Sequence, residues 1–258
     1  MVFVPLIIGH RGASRDAPEN TLASFRLAWA QGADGIEADF RLTRDNRIVC
    51  IHDPTTGRTA GIDLSVAESD LDELRRLDVG VWKGERWTGE PIPTLEEVLA
   101  QLPPGKRLLI ELKSGPEIVP VLRAVLAGSG VEPTSTTLLS FSEEVVAASR
   151  RVIPGCKTLW LCDYRRRGVI GGWRPDLGQV LAALERTGAH GLASRAHPCL
   201  DAAFVAAVRD GGRELHVWTV DALRTARRFR DLGVDSIMTN RPGWLREMLT
   251  KGQKGEEP

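Results

Sequence analysis

The 258-residue sequence predicts an α/β protein, a (β/α)₈ TIM barrel with a small insertion after the second strand and its hairpin. Three observations carry that expectation. Eight short β-rich runs alternate with eight longer helical stretches almost to the end of the chain, the pattern of parallel strands joined by crossover helices. A ninth run, 47–52, breaks the alternation with only residues 43–46 before it, too short a gap for a parallel crossover, so it must return antiparallel as a hairpin. Neither a Gly-x-Gly-x-x-Gly turn nor a Walker-type loop follows the first run, which argues against an open, doubly wound sheet built around a nucleotide.

In chain order, the first strand is predicted over 6–10, and its apolar lead-in lacks the basic region and small-residue cleavage site of a signal peptide. Cleavage there would leave His10 at or near a new terminus, so an unprocessed, cytoplasmic protein is expected. Asn20 is the expected N-cap of a helix over 21–31. The second strand, 35–40, extends through Leu42 into the hairpin, whose tip is placed at Asp45-Asn46; paired positions then sum to about 91, which sets Asp39 opposite His52. Residues 54–93 mix Gly, Pro and charge around a helical candidate at 65–77 and are an insertion within one domain spanning 1–258. Thr94 and Glu97 form a capping-box signature for a helix over 94–101. The remaining strands are predicted at 107–113, 137–141, 157–162, 191–194, 214–220 and 235–239. The remaining helices fall at 118–127, 143–152, 177–187, 201–209, 222–231 and 242–249, with a frayed polar tail from Lys251.

Composition narrows the function classes. Hydrophobic residues at 42% against 26% charged imply a sizeable core, and 34 basic against 34 acidic residues leave no net charge with which to wrap a nucleic acid or hold a polybasic membrane anchor. A small-molecule partner is expected, with no nucleic acid and no stable membrane anchor; no apolar run reaches the ~18 residues of a membrane span. Cys50, Cys156, Cys162 and Cys199 form no Cys-x-x-Cys pair and are expected as free thiols.

In such a barrel the chemistry sits where strands end, and these strand ends are unusually polar. The first closes on His10-Arg11-Gly12, the second carries Glu37 and Asp39, the hairpin ends in His52-Asp53, and the third parallel strand carries Glu111 and Lys113. Side chains two apart share a face, so Glu37 and Asp39 point one way while Ile36, Ala38 and Phe40 face the helices; Glu111 and Lys113 behave alike against Ile110 and Leu112. Three converging carboxylates repel one another unless a cation sits among them, and all-oxygen ligands select a hard divalent ion, Mg²⁺ or Ca²⁺. An interior salt-bridge network is the alternative reading. Two histidines beside such an ion suit displacement at phosphorus, where one end needs a base and the other an acid. Arg11 and Lys113 either bind phosphate oxygens or pair with the neighbouring acids. His190, His197 and His216 have no comparable company and are expected to be structural.

These motifs, in this order, resemble the glycerophosphodiester phosphodiesterase family, barrels related in architecture to phosphatidylinositol-specific phospholipase C. The resemblance rests on His10-Arg11-Gly12, Pro18-Glu19-Asn20-Thr21, Glu37-Ala38-Asp39, Ile51-His52-Asp53-Pro54 and Glu111-Leu112-Lys113. Ile92-Pro93-Thr94-Leu95-Glu96-Glu97, Val217-Trp218-Thr219-Val220 and Thr239-Asn240-Arg241-Pro242 extend it along most of the chain. It implies hydrolysis of glycerophosphodiesters to glycerol 3-phosphate and an alcohol, in lipid and glycerol metabolism, with one divalent cation held at Glu37, Asp39 and Glu111. It also implies His10 and His52 as the acid/base pair, Arg11 and Lys113 as phosphate contacts, Trp218 as an aromatic wall and Glu19 as the residue that orients Arg11. Residues 54–93 match the family insertion that covers the mouth and helps select the alcohol; Trp82 and Trp87 there either contact a headgroup or lipid or, as expected, pack the insertion. The stretch 193–197 departs from the familiar pattern and is expected to tune substrate choice. Two other readings remain open: a lysophospholipase D or sphingomyelinase D type of activity, which needs an exposed apolar groove, and a silent phosphate-binding module, whose sign would be loss of a histidine or a carboxylate.

Overall fold

The computed structural model describes residues 4–166 and 172–254. Eight parallel strands close into a barrel: β1 (Leu6–His10), β2 (Gly35–Leu42), β4 (Arg107–Leu112), β5 (Thr136–Ser140), β6 (Lys157–Cys162), β7 (Gly191–Arg195), β8 (Glu214–Trp218) and β9 (Ser236–Thr239). β1 pairs with both β9 and β2, which shuts the ring. The short β3 (Ile48–Cys50) lies antiparallel on β2. Helices α1 (Leu22–Ala30), α2 (Leu95–Ala100), α3 (Ile118–Gly128), α4 (Glu143–Val152), α5 (Leu177–Thr187), α6 (Ala202–Asp210), α7 (Leu223–Asp231) and α8 (Pro242–Lys254) wrap the outside. The α8 helix carries four residues of the expected frayed tail; the rest of that tail, and the first three residues of the apolar lead-in, lie outside the described residues.

Strand alternation builds the layers. Ile36, Ala38 and Phe40 of β2, with Ile110 and Leu112 of β4, pack outward under α1, α2, α3 and α4, and a second cluster does the same beneath α5 to α8. The inward positions form a column. Lys157, Glu214, His216 and Ser236 make its floor, Ile8, Leu109, Leu139, Leu159, Leu161, Ala193 and Met238 its apolar middle, and the polar strand ends its mouth. Each fully buried Leu or Ile in that middle layer contributes about 2 kcal/mol by transfer from water.

Three local expectations are corrected. The hairpin pairs Phe40 with Cys50 and Leu42 with Ile48, a sum of 90, so Asp39 faces Ile51 and not His52. The reason is the turn: Thr43 pairs with Arg47 around three loop residues, and Asn46, at φ 57°, closes it in the left-handed conformation that ends three-residue hairpin loops. At the start of α1, Thr21 is the N-cap, accepting from Ser24 N at 3.2 Å, and Asn20 is drawn away to other work. The helical candidate at 65–77 splits into a 3₁₀ turn (Val66–Glu68) and one α-helical turn (Leu71–Leu74), with extended Ser69 and Asp70 between them. The insertion has its own small core, Val66, Leu74, Leu77, Val79 and Ile92, packed on Val49 and Ile51 of the hairpin.

Candidate active site

The first strand turns sharply at its end. Arg11 sits at φ 57°, a conformation costing a non-glycine residue about 1 kcal/mol, and Gly12 at φ 85°. A Cβ on Gly12 would lie 2.3 Å from Ser24 Oγ, so no other residue fits against α1. The turn aims Arg11 N–H at Glu37 Oε2, 3.0 Å away, and sends the guanidinium to Glu19 Oε1 at 2.9 Å and Asp39 Oδ2 at 3.1 Å. It also points His10 inward, with Nε2 4.0 Å from Glu37 Oε2.

Glu37, Asp39 and Glu111 are all buried, and each can offer one oxygen within 4.8 Å of the others. Asn20 grips Asp39 from both sides, donating from Nδ2 to Oδ2 at 2.9 Å and accepting the Asp39 backbone N–H at 3.1 Å; the cap expected of it is replaced by this clamp. Lys113 Nζ lies 3.0 Å from Asp39 Oδ1 and 2.5 Å from Glu111 Oε1. Burial favours the neutral acid throughout, and the charges decide the rest. At Asp39, Lys113 and then Arg11 overcome burial and hold the carboxyl below its ordinary range. At Glu37, burial is reinforced by Asp39 and Glu111, and the carboxyl rises well above it. Glu111 is pushed up to about 7 by burial and by Asp39, against the pull of Lys113. Asp39 Oδ1 and Glu111 Oε1 are paired with Lys113, whereas Glu37 Oε1 is buried without a hydrogen bond, an orphan acceptor of the kind an ion would satisfy. The donor set, all carboxylate, fits a hard divalent cation.

His52 arrives from the hairpin. Its Nδ1 meets Asp53 Oδ1 at 2.6 Å, and Arg41 clamps the His52 carbonyl through Nε and Nη2 at 3.0 and 2.8 Å. Arg58 of the insertion ties Asp53 Oδ2, at 2.5 Å, to both oxygens of Glu19, at 2.7 and 3.0 Å, so His52 and Arg11 are held by one continuous chain of ion pairs. Burial lowers the pKa of both rings. His10 falls to about 4, with Arg11 as the second cause; at His52 the downward pull of burial is opposed by Asp39 and Asp53.

With the register corrected, His10, Arg11, Glu37, His52, Glu111 and Lys113 line one cavity of about 210 Å³, while Asp39 is not part of its lining and is paired with Arg11 and Lys113. Leu139, Leu161, Met238, Phe141 and Trp218 close its other side. Trp218 is fixed by Nε1–H donation to Ala193 O at 2.9 Å and by an edge-on contact with Phe141 at 5.7 Å. Phe141, 46% exposed, was not among the predicted site residues; its place one residue past β5 was the available signal. Arg41, Arg58 and Phe141 are thus additions from the structure. A larger groove of about 780 Å³ beside Trp160, Arg174 and Arg186 holds none of the predicted site residues. Trp82 departs from its expected packing, being 42% exposed, with Lys83 Nζ 5.3 Å from its ring. In the 193–197 stretch, Arg195 pairs with Asp163, and His197 lies tilted against Tyr164 at 4.9 Å and edge-on to Trp173 at 4.3 Å. His190 bonds Arg150 and the Thr158 N–H, and His216 bonds Ser236; neither touches the cavity.

Comparison with known proteins agrees with this geometry. The sequence model of the Glycerophosphoryl diester phosphodiesterase family matches residues 10–244. The chain is 34% identical to a glycerophosphodiester phosphodiesterase of Caldanaerobacter subterraneus, over 96% of this chain and 98% of that one. Among solved structures it resembles an Oleispira antarctica phosphodiesterase in complex with the product sn-glycerol-3-phosphate (TM-score 0.84, 27% identity, 96% and 97% of the two chains). It also resembles the glycerophosphodiester phosphodiesterase of Agrobacterium tumefaciens (TM-score 0.77, 28% identity, 95% and 100%).

Proposed function

This chain belongs to the glycerophosphoryl diester phosphodiesterase family and is a phosphoric diester hydrolase, and from that premise we propose that it releases glycerol 3-phosphate and an alcohol from glycerophosphodiesters, using one divalent cation and a pair of histidines. The observation that carries the reading is the convergence of two histidines, two cations and metal-competent carboxylates on one small cavity at the barrel mouth. Glu37, Asp39 and Glu111 would hold the ion, Mg²⁺ or Ca²⁺. Bound there, it would supply positive charge to the phosphoryl oxygens as negative charge grows on them. Arg11 and Lys113, which line the same cavity, would bind phosphate oxygens, and ordering by Glu19 and Asp39 means that little side-chain freedom is lost on binding. His10 and His52 each have Nδ1 engaged and keep Nε2 for proton exchange, one taking the nucleophile's proton and the other giving one to the leaving alkoxide. Trp218 and Phe141 form the apolar wall against which the glycerol carbons lie.

The same proposal treats residues 1–258 as one barrel domain and residues 54–93 as an insertion that meets the leaving alcohol. It places the enzyme in the cytoplasm acting on a small-molecule substrate; no described helix is long and apolar enough to cross a membrane. The test is release of glycerol 3-phosphate from glycerophosphocholine and glycerophosphoethanolamine, first in EDTA and then with Mg²⁺ or Ca²⁺ restored. Release only after a cation is returned is the expected result. Full release in EDTA would remove the cation from the proposal, and turnover confined to detergent-dispersed lysolipids would replace the substrate class by the lysophospholipase D type.

A further inference from the structure

Two motifs singled out in the sequence, 217–220 and 239–242, have no part in the chemistry above beyond Trp218, yet they meet directly behind His10. Asp221, just past β8, accepts Thr239 Oγ1–H and Asn240 N–H on Oδ1, both at 2.8 Å, and the Asn240 side-chain amide on Oδ2 at 2.6 Å. An ionised carboxylate can only accept. Asn240 must therefore turn its NH₂ group toward Asp221, which fixes its carbonyl oxygen on the opposite side, and the usual ambiguity between amide oxygen and nitrogen does not arise. That oxygen lies 2.7 Å from His10 Nδ1 and 2.8 Å from Ser14 Oγ. An amide oxygen cannot donate either, so the neutral His10 ring must carry its proton on Nδ1. Ser14 braces the same corner, within 2.8 Å of the His10 backbone carbonyl.

We propose that Asp221 is a positioning residue that acts through Asn240 to hold His10 in the Nδ1–H tautomer, leaving the Nε2 lone pair facing the cavity. Only that tautomer leaves a bare ring nitrogen beside the substrate, and only from it does protonation at Nε2 create an acid aimed at the phosphate. The polarity of the chain of hydrogen bonds, carboxylate to amide to imidazole, sets the tautomer. The role of the carboxylate is orientation rather than proton storage, since it sits one residue removed from the ring. The inference rests on the proposed acid/base role of His10 for its effect on rate, but its effect on the ring proton does not depend on that role.

The test is Asp221→Asn, a change of one atom type within the same outline. Its NH₂ group can face Asn240, which is then free to reverse its own amide and donate to Nδ1, moving the ring proton to Nε2. The expected result is a fall in kcat of about 10²-fold or more with KM within about threefold, by analogy with loss of a tautomer-setting carboxylate elsewhere. In the metal-loaded protein, the ¹⁵N resonance of His10 Nδ1, identified by its absence in His10→Gln, should move from the protonated to the bare range. Asp221→Asn combined with Asn240→Asp restores the polarity with donor and acceptor exchanged, so both the resonance and most of the rate should return. Retention of the Nδ1 proton in folded Asp221→Asn would overturn the inference, as would a double variant that recovers its thermal stability without recovering the tautomer. Failure of the His10 reading would show separately, as normal turnover in His10→Ala.

Discussion

The floor and the mouth of the barrel both gather Glu, His and Lys side chains, from β6 and β8 at one end and around β1, β2 and β4 at the other, yet they treat charge in opposite ways. At the floor, Glu214 meets Lys157 in an ion pair and His216 Nε2 at 3.3 Å, while His216 Nδ1 lies 2.8 Å from Ser236 Oγ. The carboxyl is drawn down to about 2, first by the His216 hydrogen bond and then, against burial, by Lys157. At the mouth three carboxylates share two cations, Glu37 Oε1 is left without a hydrogen bond, and Glu37 and Glu111 are driven upward. Between the two ends lies a solid apolar layer from Ile8 to Met238, so no floor cation can relieve the mouth. In a barrel of this kind the end that bears the loops carries chemistry and the other carries stability. The difference shows that a charge cluster should be read by its unsatisfied atoms and not by its size.

The comparison breaks most sharply if mouth residues turn out to be structural. His10→Ala is expected to lower kcat/KM by about 10³-fold or more while leaving the circular dichroism and melting temperature near those of the parent. Near-normal turnover in the folded variant would remove His10 from the chemistry. A smaller effect is expected for Glu37→Gln, which keeps the outline but weakens one ligand. Calorimetric titration should show divalent-cation affinity reduced by about 10²-fold. The metal-free variant should melt no lower than the metal-free parent, because Gln mimics the neutral carboxyl that burial, Asp39 and Glu111 already favour there. An unchanged binding isotherm, or a strongly destabilised apo variant, would mean that Glu37 serves the mouth as Glu214 serves the floor.

How much of this was legible in the sequence follows from what the two-residue period of a strand can and cannot say. It places Glu37, Asp39, Glu111 and Lys113 on one face and Phe40 and Leu112 on the other, so the inward polar ring and the outward core could be read directly. It says nothing about turn conformation. The one-residue slip of the hairpin arose because Asn46 adopts a left-handed φ, and the Asn20 clamp appears only because Asn20 does the same and leaves the cap to Thr21. Arg41 and Arg58 reach carbonyl and carboxylate partners that only the closed barrel and its insertion bring near, and Phe141 gains its place from Trp218, on a different strand. Trp82 shows the opposite error: a large apolar residue invites a packing assignment, but its burial depends on whether a neighbour reaches it, and here its ring keeps contact with solvent beside Lys83.

The smallest effect, and the one that sharpens the comparison from the other side, lies at the floor. Glu214 has a folded-state pKa of about 2 against 4.5 for the free side chain, so the unfolded chain binds its proton first as the pH falls. The stabilisation is therefore fully present above about 4.5 and is lost as pH drops from there toward 2. Its side chain is 32% exposed and that of Lys157 is 47% exposed, and solvent screening discounts the pair to about 1 kcal/mol at neutral pH. Glu214→Gln should accordingly lower stability by about that amount in urea at pH 7, with the deficit shrinking below pH 4, and should leave kcat and cation affinity at parental values. A loss of turnover at unchanged stability would mean that charge at the floor is felt at the mouth through the apolar layer. The separation of the two ends, on which the reading of the orphaned Glu37 oxygen as an ion ligand depends, would then fail.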